Sequence, residues 1–331
     1  MVSVAVVGVQ KCASINVAGL LDVIRKVDGA WRAGVDREAN PVFEPFLVGL
    51  GRRAVVFRDG ASMLPTAAAE EITPPDMVVV PGLDDELERS LEVNGGWIPW
   101  LAKWFEDGSR LATSCTGAFL AAEAGLLDGR RATTHWAAAD EFRRRYPNVE
   151  LVVDQMIVDT GDVVTSGGAT TFLNLVIYLT ERFGGHGRAV AAAKVMLVDG
   201  DRRSQLPYLA FGSSRGHNDD TVHAAQELIE AHLEGPLRID GVAAHTGISV
   251  RTLARRFKAA TGLTPSEFQA EARMMAARRL LETTRMTVTE IRTAVGYLDP
   301  AAFGRAFKRA AGLNPSDYRR RYESACQSSP P

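Results

Sequence analysis

Cys115 stands in "TSCTGAF" (113–119), where an apolar run gives way to a small-residue turn, the setting in which a chain presents a nucleophile. The strand-like "RLATS" (110–114) delivers the thiol to that turn, and "TGAFLAAEAGLL" (116–127) then starts a helix. A sulfur at that junction is expected near a helix N-terminus, whose dipole favours the thiolate and whose N–H groups can face an anion. His135 follows in "RATTHW" and could pair with Cys115 if their strands are neighbours. Nucleophilic attack and non-covalent capture of a small molecule both fit this spacing, as do a buried thiol and a satisfied imidazole. Cys12, Cys115 and Cys326 are far apart and odd in number, which argues against a disulfide framework and a cysteine-based zinc site. His217, His223 and His232 lack metal-ligand spacing, so no metal or cofactor is expected.

A second set of residues is basic and repeated. "ARRFKAATGLTPSEF" (254–268) recurs as "GRAFKRAAGLNPSDY" (304–318), so that Phe257, Lys258, Gly262, Leu263, Pro265 and Ser266 reappear as Phe307, Lys308, Gly312, Leu313, Pro315 and Ser316. In the first copy, residues 239–262 read as a short helix, a turn at Gly247–Ser249 and a second helix from Val250, with Ser249 as N-cap. Val250, Leu253 and Phe257 fall on one face of that helix, and Arg251, Arg255 and Lys258 on the other. One apolar face and one guanidinium-bearing face are what a major-groove recognition helix requires. In the second copy the turn is at Gly296–Leu298, and the helix after "DP" (299–300) turns Phe303 and Phe307 inward and Arg305 and Lys308 outward. The amphipathic segment 266–284 reads as one long helix that fixes the separation of the two readers.

The elements that must position Cys115 alternate in kind. Strands are expected at 3–9, 43–50, 77–82, 110–114, 149–154 and 162–168, and helices at 15–27, 96–108, 116–127, 135–147 and 170–184. Strands separated by helices imply βαβ units, hence an α/β flavodoxin-like parallel sheet with helices on both faces, with ligands at the carboxyl ends of strands. Cys115, "PGL" (81–83) and "SGG" (166–168) all fall there. The pattern loosens from about 186, giving a front domain over 1–200, a polar linker over 201–220, an all-α domain of two helix-turn-helix motifs over 221–323 and a disordered tail over 324–331. Residues 221–323 carry 16 Lys+Arg against 11 Asp+Glu, the remainder 22 against 29, so only the back half suits a polyanion. With 46% hydrophobic and 24% charged residues, and no apolar run near the ~20 residues of a membrane span, the chain reads as globular. "MVSVAVVGVQ" lacks a basic n-region and a cleavage site and reads as a first strand, so the cytoplasm is the expected compartment. Trp97, Trp100 and Trp104 recur at helical spacing and are expected in the core, and the arginine triplets of "FRRRYP" and "YRRRYE" on solvated faces.

The repeated segment 221–323 resembles the AraC/XylS family of transcription regulators over its full two-motif domain. "PPDMVVVPG", "SCTGAFLAAEAGLLDGRRATTHW" and "VVTSGG" resemble the class I glutamine-amidotransferase-like fold of the PfpI/ThiJ superfamily over nearly all of 1–200. The combination resembles the GlxA group of transcriptional regulators. Three departures matter. Enzymatic relatives commonly place a carboxylate in an "LDxxGP"-like segment where this chain has "INVAGL", with Asn16 in place of the acid; an amide is no acid–base catalyst near neutral pH. Protease-like members place histidine after the elbow cysteine, where this chain has Thr116. Arg292 stands where the reader family has a small residue, and its guanidinium is expected to reach water or phosphate. The resemblance therefore implies a DNA-binding regulator with Cys115 and His135 as vestigial catalytic residues. A small metabolite, of the amine or amino-acid-derivative class, is expected in a pocket of Asn16, Gly82, Leu83, Cys115, Thr116 and His135, its polar or anionic group received by Cys115 and adjacent N–H groups. Arg251, Arg255 and Arg305 are expected to read bases of a double-stranded operator, with Lys258 and Lys308 near phosphates. Homodimerisation through the front domain and contact with RNA polymerase complete the expected partners. A cysteine-dependent hydrolase or hydratase, with Asp154 as a third triad member, and a thiol redox sensor are the alternatives.

Overall fold

Runs of β-branched residues without polar alternation are stable only between two helical layers, and "VSVAVV", "MVVV" and "VVTS" do form strands with buried residues. The structure, a computed structural model, describes residues 1–199, 203–209, 217 and 219–322. It divides into two units, Met1–Gln205 and Leu206–Pro331.

The strands of the front unit are β1 (Val2–Val7), β2 (Phe43–Gly49), β3 (Val55–Val56), β4 (Ser62–Met63), β5 (Ala67–Ala68), β6 (Met77–Val80), β7 (Arg110–Ser114), β8 (Arg131–Ala132), β9 (Glu150–Leu151), β10 (Ile157–Asp159) and β11 (Val163–Ser166). Seven form one sheet in the order β10-β11-β7-β6-β1-β2-β5. Every pairing in it is parallel except that of β10 with β11. Its helices are α1 (Leu20–Gly34), α2 (Leu87–Asn94), α3 (Ile98–Glu106), α4 (Gly117–Glu123), α5 (Ala139–Arg145), α6 (Phe172–Gly184) and α7 (His186–Met196). Helices α1, α6 and α7 pack together as one group and α2, α3 and α4 as another, the two layers that a parallel sheet needs. One apolar core runs through both, with Val6, Val79, Trp97, Trp104 and Phe119 fully buried.

Several local expectations change. The segment 149–154 contributes only β9, which pairs with β8 outside the main sheet, and β10 takes the edge beside β11. Residues 15–19 form one wide π turn before α1, which runs on to Gly34. Helix α7 occupies part of the region where the sequence pattern loosens; its alanines fill both faces and leave no periodic apolar stripe to read.

The back unit is helical: α8 (Asp220–Ala231), α9 (Ile239–His245), α10 (Val250–Thr261), α11 (Pro265–Thr283), α12 (Val288–Ala294), α13 (Pro300–Ala311) and α14 (Pro315–Tyr322). Side-chain caps start the helices: Ser249 accepts from the Thr252 N–H, Asp299 from those of Ala301 and Ala302, and Thr264–Glu267 and Thr287–Glu290 form capping boxes. Two small cores result, one around Val222, Leu253, Phe257 and Phe268, the other around Ile291, Phe303, Phe307 and Tyr318. Helix α11 joins them, giving Phe268 to the first and Met274, Ala277 and Leu281 to the second. Part of the 201–220 stretch and all of 324–331 lie outside the described residues.

The start of α4 depends on close approach. A Cβ on Gly117 would lie 2.5 Å from the carbonyl oxygens of both Val80 and Pro81, whereas exposed Gly29 in α1 has nothing within 4 Å of its virtual Cβ. Gly117→Ala is therefore expected to destabilise the protein by about 1–3 kcal/mol, and Gly29→Ala to stabilise it by about 0.5–1 kcal/mol. Urea unfolding of the two variants checks this, and a Gly117→Ala protein as stable as wild type would contradict it.

Candidate functional site

Strand β7 ends in a sharp elbow. Cys115 has φ 56°, one of three positive values among described non-glycine residues, with Lys11 and Leu197. Its N–H donates to Ser166 O at 2.8 Å, and its carbonyl accepts from Thr134 Oγ1 at 2.9 Å. Thr116 Oγ1 accepts from Leu83 N at 2.9 Å and donates to Leu83 O at 3.2 Å. Asn16 Nδ2 donates to Gly82 O at 3.1 Å, and a Cβ on Gly82 would lie 3.1 Å from that amide and 3.2 Å from Cys115 Cβ. The structure thus brings Asn16, Gly82, Leu83, Cys115 and Thr116 together at the carboxyl ends of β6 and β7. His135 follows Thr134, which grips the elbow carbonyl.

The electrostatics run against a poised nucleophile. Burial pushes the Cys115 thiol up to about 11, Thr116 hydrogen bonds opposing the rise and the Asp85 carboxylate adding to it. The helix-dipole expectation of a lowered thiol pKa is reversed, because desolvation outweighs what a seven-residue helix offers. Burial also holds the His135 imidazole below its usual range, with Asp85 pulling the other way. His135 Nδ1 accepts from Ala137 N at 3.0 Å, and no hydrogen bond joins His135 to Cys115 among the described residues. The Cys115 and Leu83 N–H groups are taken by Ser166 O and Thr116 Oγ1, while the Thr116 N–H faces the thiol. Asp154 is exposed, and no hydrogen bond joins its carboxylate to His135 among the described residues. Asp85 acts on both Cys115 and His135 and is held at the mouth by Arg58, 3.2 Å away. Only the fold reveals it, because "DD" (84–85) in sequence reads as an ordinary loop.

In the back unit, α10 and α13 show the same burial pattern residue by residue over 251–260 and 301–310. Leu253 and Phe257, like Phe303 and Phe307, are buried, while Arg251, Arg255, Lys258, Arg305 and Lys308 are exposed. Val250 leaves the expected inner face and is 40% exposed. Lys258 lies 3.8 Å from Glu267, and Arg256 turns inward as a two-pronged partner of Asp219. Arg309, missed in the sequence pattern because the first copy has Ala259 there, is exposed beside Lys308. Arg292 corrects another expectation: its guanidinium donates to the carbonyls of Tyr297 (2.7 Å) and Leu298 and so closes the turn.

Residues 3–182 match the DJ-1/PfpI family, more than half of the chain, and residues 242–321 match a helix-turn-helix domain. The HTH-type transcriptional regulator CdhR of Pseudomonas aeruginosa is 30% identical over 266 residues, 80% of this chain and 78% of that protein. The HTH-type transcriptional regulator GbdR of the same species is 27% identical over 82% of this chain and 73% of its own length. The chain belongs to the DJ-1/PfpI family. With its AraC-type helix-turn-helix domain it is a DNA-binding transcriptional regulator, not an enzyme. A ThiJ/PfpI family protein from Pseudomonas syringae shares the fold, with TM-score 0.50 and 17% identity over 75% of this chain and 91% of that chain. No described helix is long and apolar enough to cross a membrane.

This DJ-1/PfpI unit has one further site residue that sequence reasoning missed. Buried Gln205, its last residue, brings Nε2 to 3.0–3.2 Å from Thr133 Oγ1 and the carbonyls of Thr134, Val153 and Gln155. It thereby braces Thr134, the residue that holds Cys115. A virtual Cβ on Gly167 would strike the Gln205 side chain, so glycine is required there. Since the Cys115 thiol lies near 11 against an ordinary 9.0, its alkylation by iodoacetamide near neutral pH is expected to run about 100-fold slower than that of a free thiol, in proportion to thiolate. Site-resolved mass spectrometry measures this, and labelling as fast as free N-acetylcysteine would contradict it.

Proposed function

We propose that the elbow pocket is an effector site and that its occupancy governs operator binding by the back unit. The observation carrying this reading is the combination at one elbow of a half-buried thiol, its pKa raised by burial, with the side chains of Asn16 and Thr116. Asn16, Cys115, Thr116 and His135 line the pocket, Gly82 and Leu83 form its floor, and Asp85 stands at its mouth. With the Asp85 carboxylate acting on both Cys115 and His135, a cationic or hydrogen-bond-donating metabolite, such as an amine or amino-acid derivative, suits the pocket.

In the back unit, Arg251, Arg255 and Arg305 read base edges, and Lys258 and Lys308 lie near phosphates. The division into a front unit, Met1–Gln205, and a back unit from Leu206 gives each task its own body. Exposed Val190, Val195 and Leu197 around α7 support self-association of the front unit, and a dimer of two-motif readers would require a repeated operator. RNA polymerase is the partner through which such a complex would act.

Selection from a randomised duplex library with the full chain is expected to enrich one operator containing an inverted or direct repeat. On it Arg255→Ala should cost about 1–3 kcal/mol, concentrated at one base position. Thermal shift across an amine and amino-acid panel is expected to find a stabiliser whose effect Cys115→Ser weakens. An unselective library, or amidase or glyoxalase turnover at enzyme-like rates, would overturn the reading.

A further inference from the structure

The two reading motifs differ by one residue in the turn. Between the turn glycine and the helix N-cap the first has only Ile248, whereas the second has Tyr297 and Leu298. Ile248 packs on the first core, and Tyr297 does the same in the second, its ring 5.6 Å from that of Phe303. The inserted Leu298 has no place left in the core and is 91% exposed.

That leucine is held out by a braced turn. Arg292 stands where the first motif has buried Ala243, and it binds the carbonyls of Tyr297 and Leu298. A Cβ on Gly296 would meet the carbonyl oxygens of Leu233 and Glu234 at 2.5 and 2.6 Å, so the turn also lies tight against that loop. Arg273 bonds Leu233 O and Gly235 O at 2.8 and 2.6 Å and covers the Tyr297 ring at 5.6 Å. Asp299 then caps α13 through the Ala302 N–H at 2.7 Å. The backbone carrying Leu298 is fixed on both sides.

The outward face of α13 continues the contrast. Ala301 occupies the place of Arg251, while Arg305 and Lys308 match Arg255 and Lys258. The second reader is therefore apolar at its N-terminal end and basic beyond it. The N-terminal residues of a recognition helix meet base edges, and the thymine 5-methyl is the distinctive apolar feature of the major groove.

We propose that Leu298 reads a thymine methyl in the segment of each repeat that faces α13, so that each repeat is unlike in its two segments: guanine read by Arg251 and Arg255 in one, thymine read by Leu298 in the other. This rests on the DNA-reading assignment of the back unit. The test uses the full chain and its selected operator, with thymines replaced one at a time by deoxyuridine, which removes the methyl alone. Wild type is expected to lose about 4-fold in affinity at one position of the segment facing α13, the equivalent of one buried methyl group. Leu298→Ala should bind the unmodified operator about that much more weakly and be indifferent to the replacement. Sensitivity that persists in Leu298→Ala, or no sensitive thymine in wild type, overturns the proposal. So does a Leu298→Ala protein with unchanged operator affinity but reduced transcription, which would give the leucine to a protein contact. Failure to enrich any operator would instead sink the reading of the whole back unit, a separate result.

Discussion

Cys115 keeps its backbone at φ 56°, a conformation that costs about 1–3 kcal/mol for a side chain of this kind and persists only where surroundings fix it. Ser166 holds its N–H, Thr134 holds its carbonyl, and Gly117 lets α4 begin against the carbonyls of Val80 and Pro81. Each of these residues comes from a different part of the chain. The elbow therefore ties β6, β7 and β11 to the 133–135 segment. Burial raises the pKa of the thiol at that elbow, which suits the proposed binding role better than a nucleophilic one.

Thr134 is braced by Gln205, the last residue of the front unit, and the back unit begins with the next residue. Within the back unit, Leu209 O is held by Arg278 at 2.9 Å and Pro207 O by Tyr322 at 2.6 Å. Arg278 is buried, and desolvation lowers its pKa, so it is a firm anchor rather than a solvated cation. The proposed regulation would run along this stretch of chain, from the elbow through Gln205 to residues anchored on α11 and α14. Allosteric coupling requires an element with two states, biased at one end by a ligand.

How much of this was legible depended on whether a feature leaves a local pattern. The β-branched runs of β1, β6 and β11 announced a buried parallel sheet, and the duplicated Phe–Lys–Gly–Leu–Pro–Ser spacing announced two reading motifs whose buried and exposed positions do coincide. Edge strand β10 is three residues long and helix α7 is alanine-filled, so neither carries a usable period. The elbow and the glycine turns were legible, but the electrostatics around them were not. The Thr116–Leu83 exchange and the Asp85 mouth join residues about thirty positions apart, and the balance of burial against helix dipole depends on solvent exclusion that no spacing encodes. Arg292 was visible as an exception; what it does became clear only beside the extra turn residue.

The most direct test of the proposed control of DNA reading by pocket occupancy, with Gln205 as its link, is operator binding by fluorescence anisotropy for wild type and Gln205→Ala. Each is titrated with the small-molecule fraction extracted from cells. The account predicts that the extract changes wild-type affinity by about 5- to 150-fold, the usual span of allosteric coupling. Gln205→Ala should bind the operator and still be thermally stabilised by the extract, yet show no such change. An equal change in both proteins, or none in wild type, would contradict it.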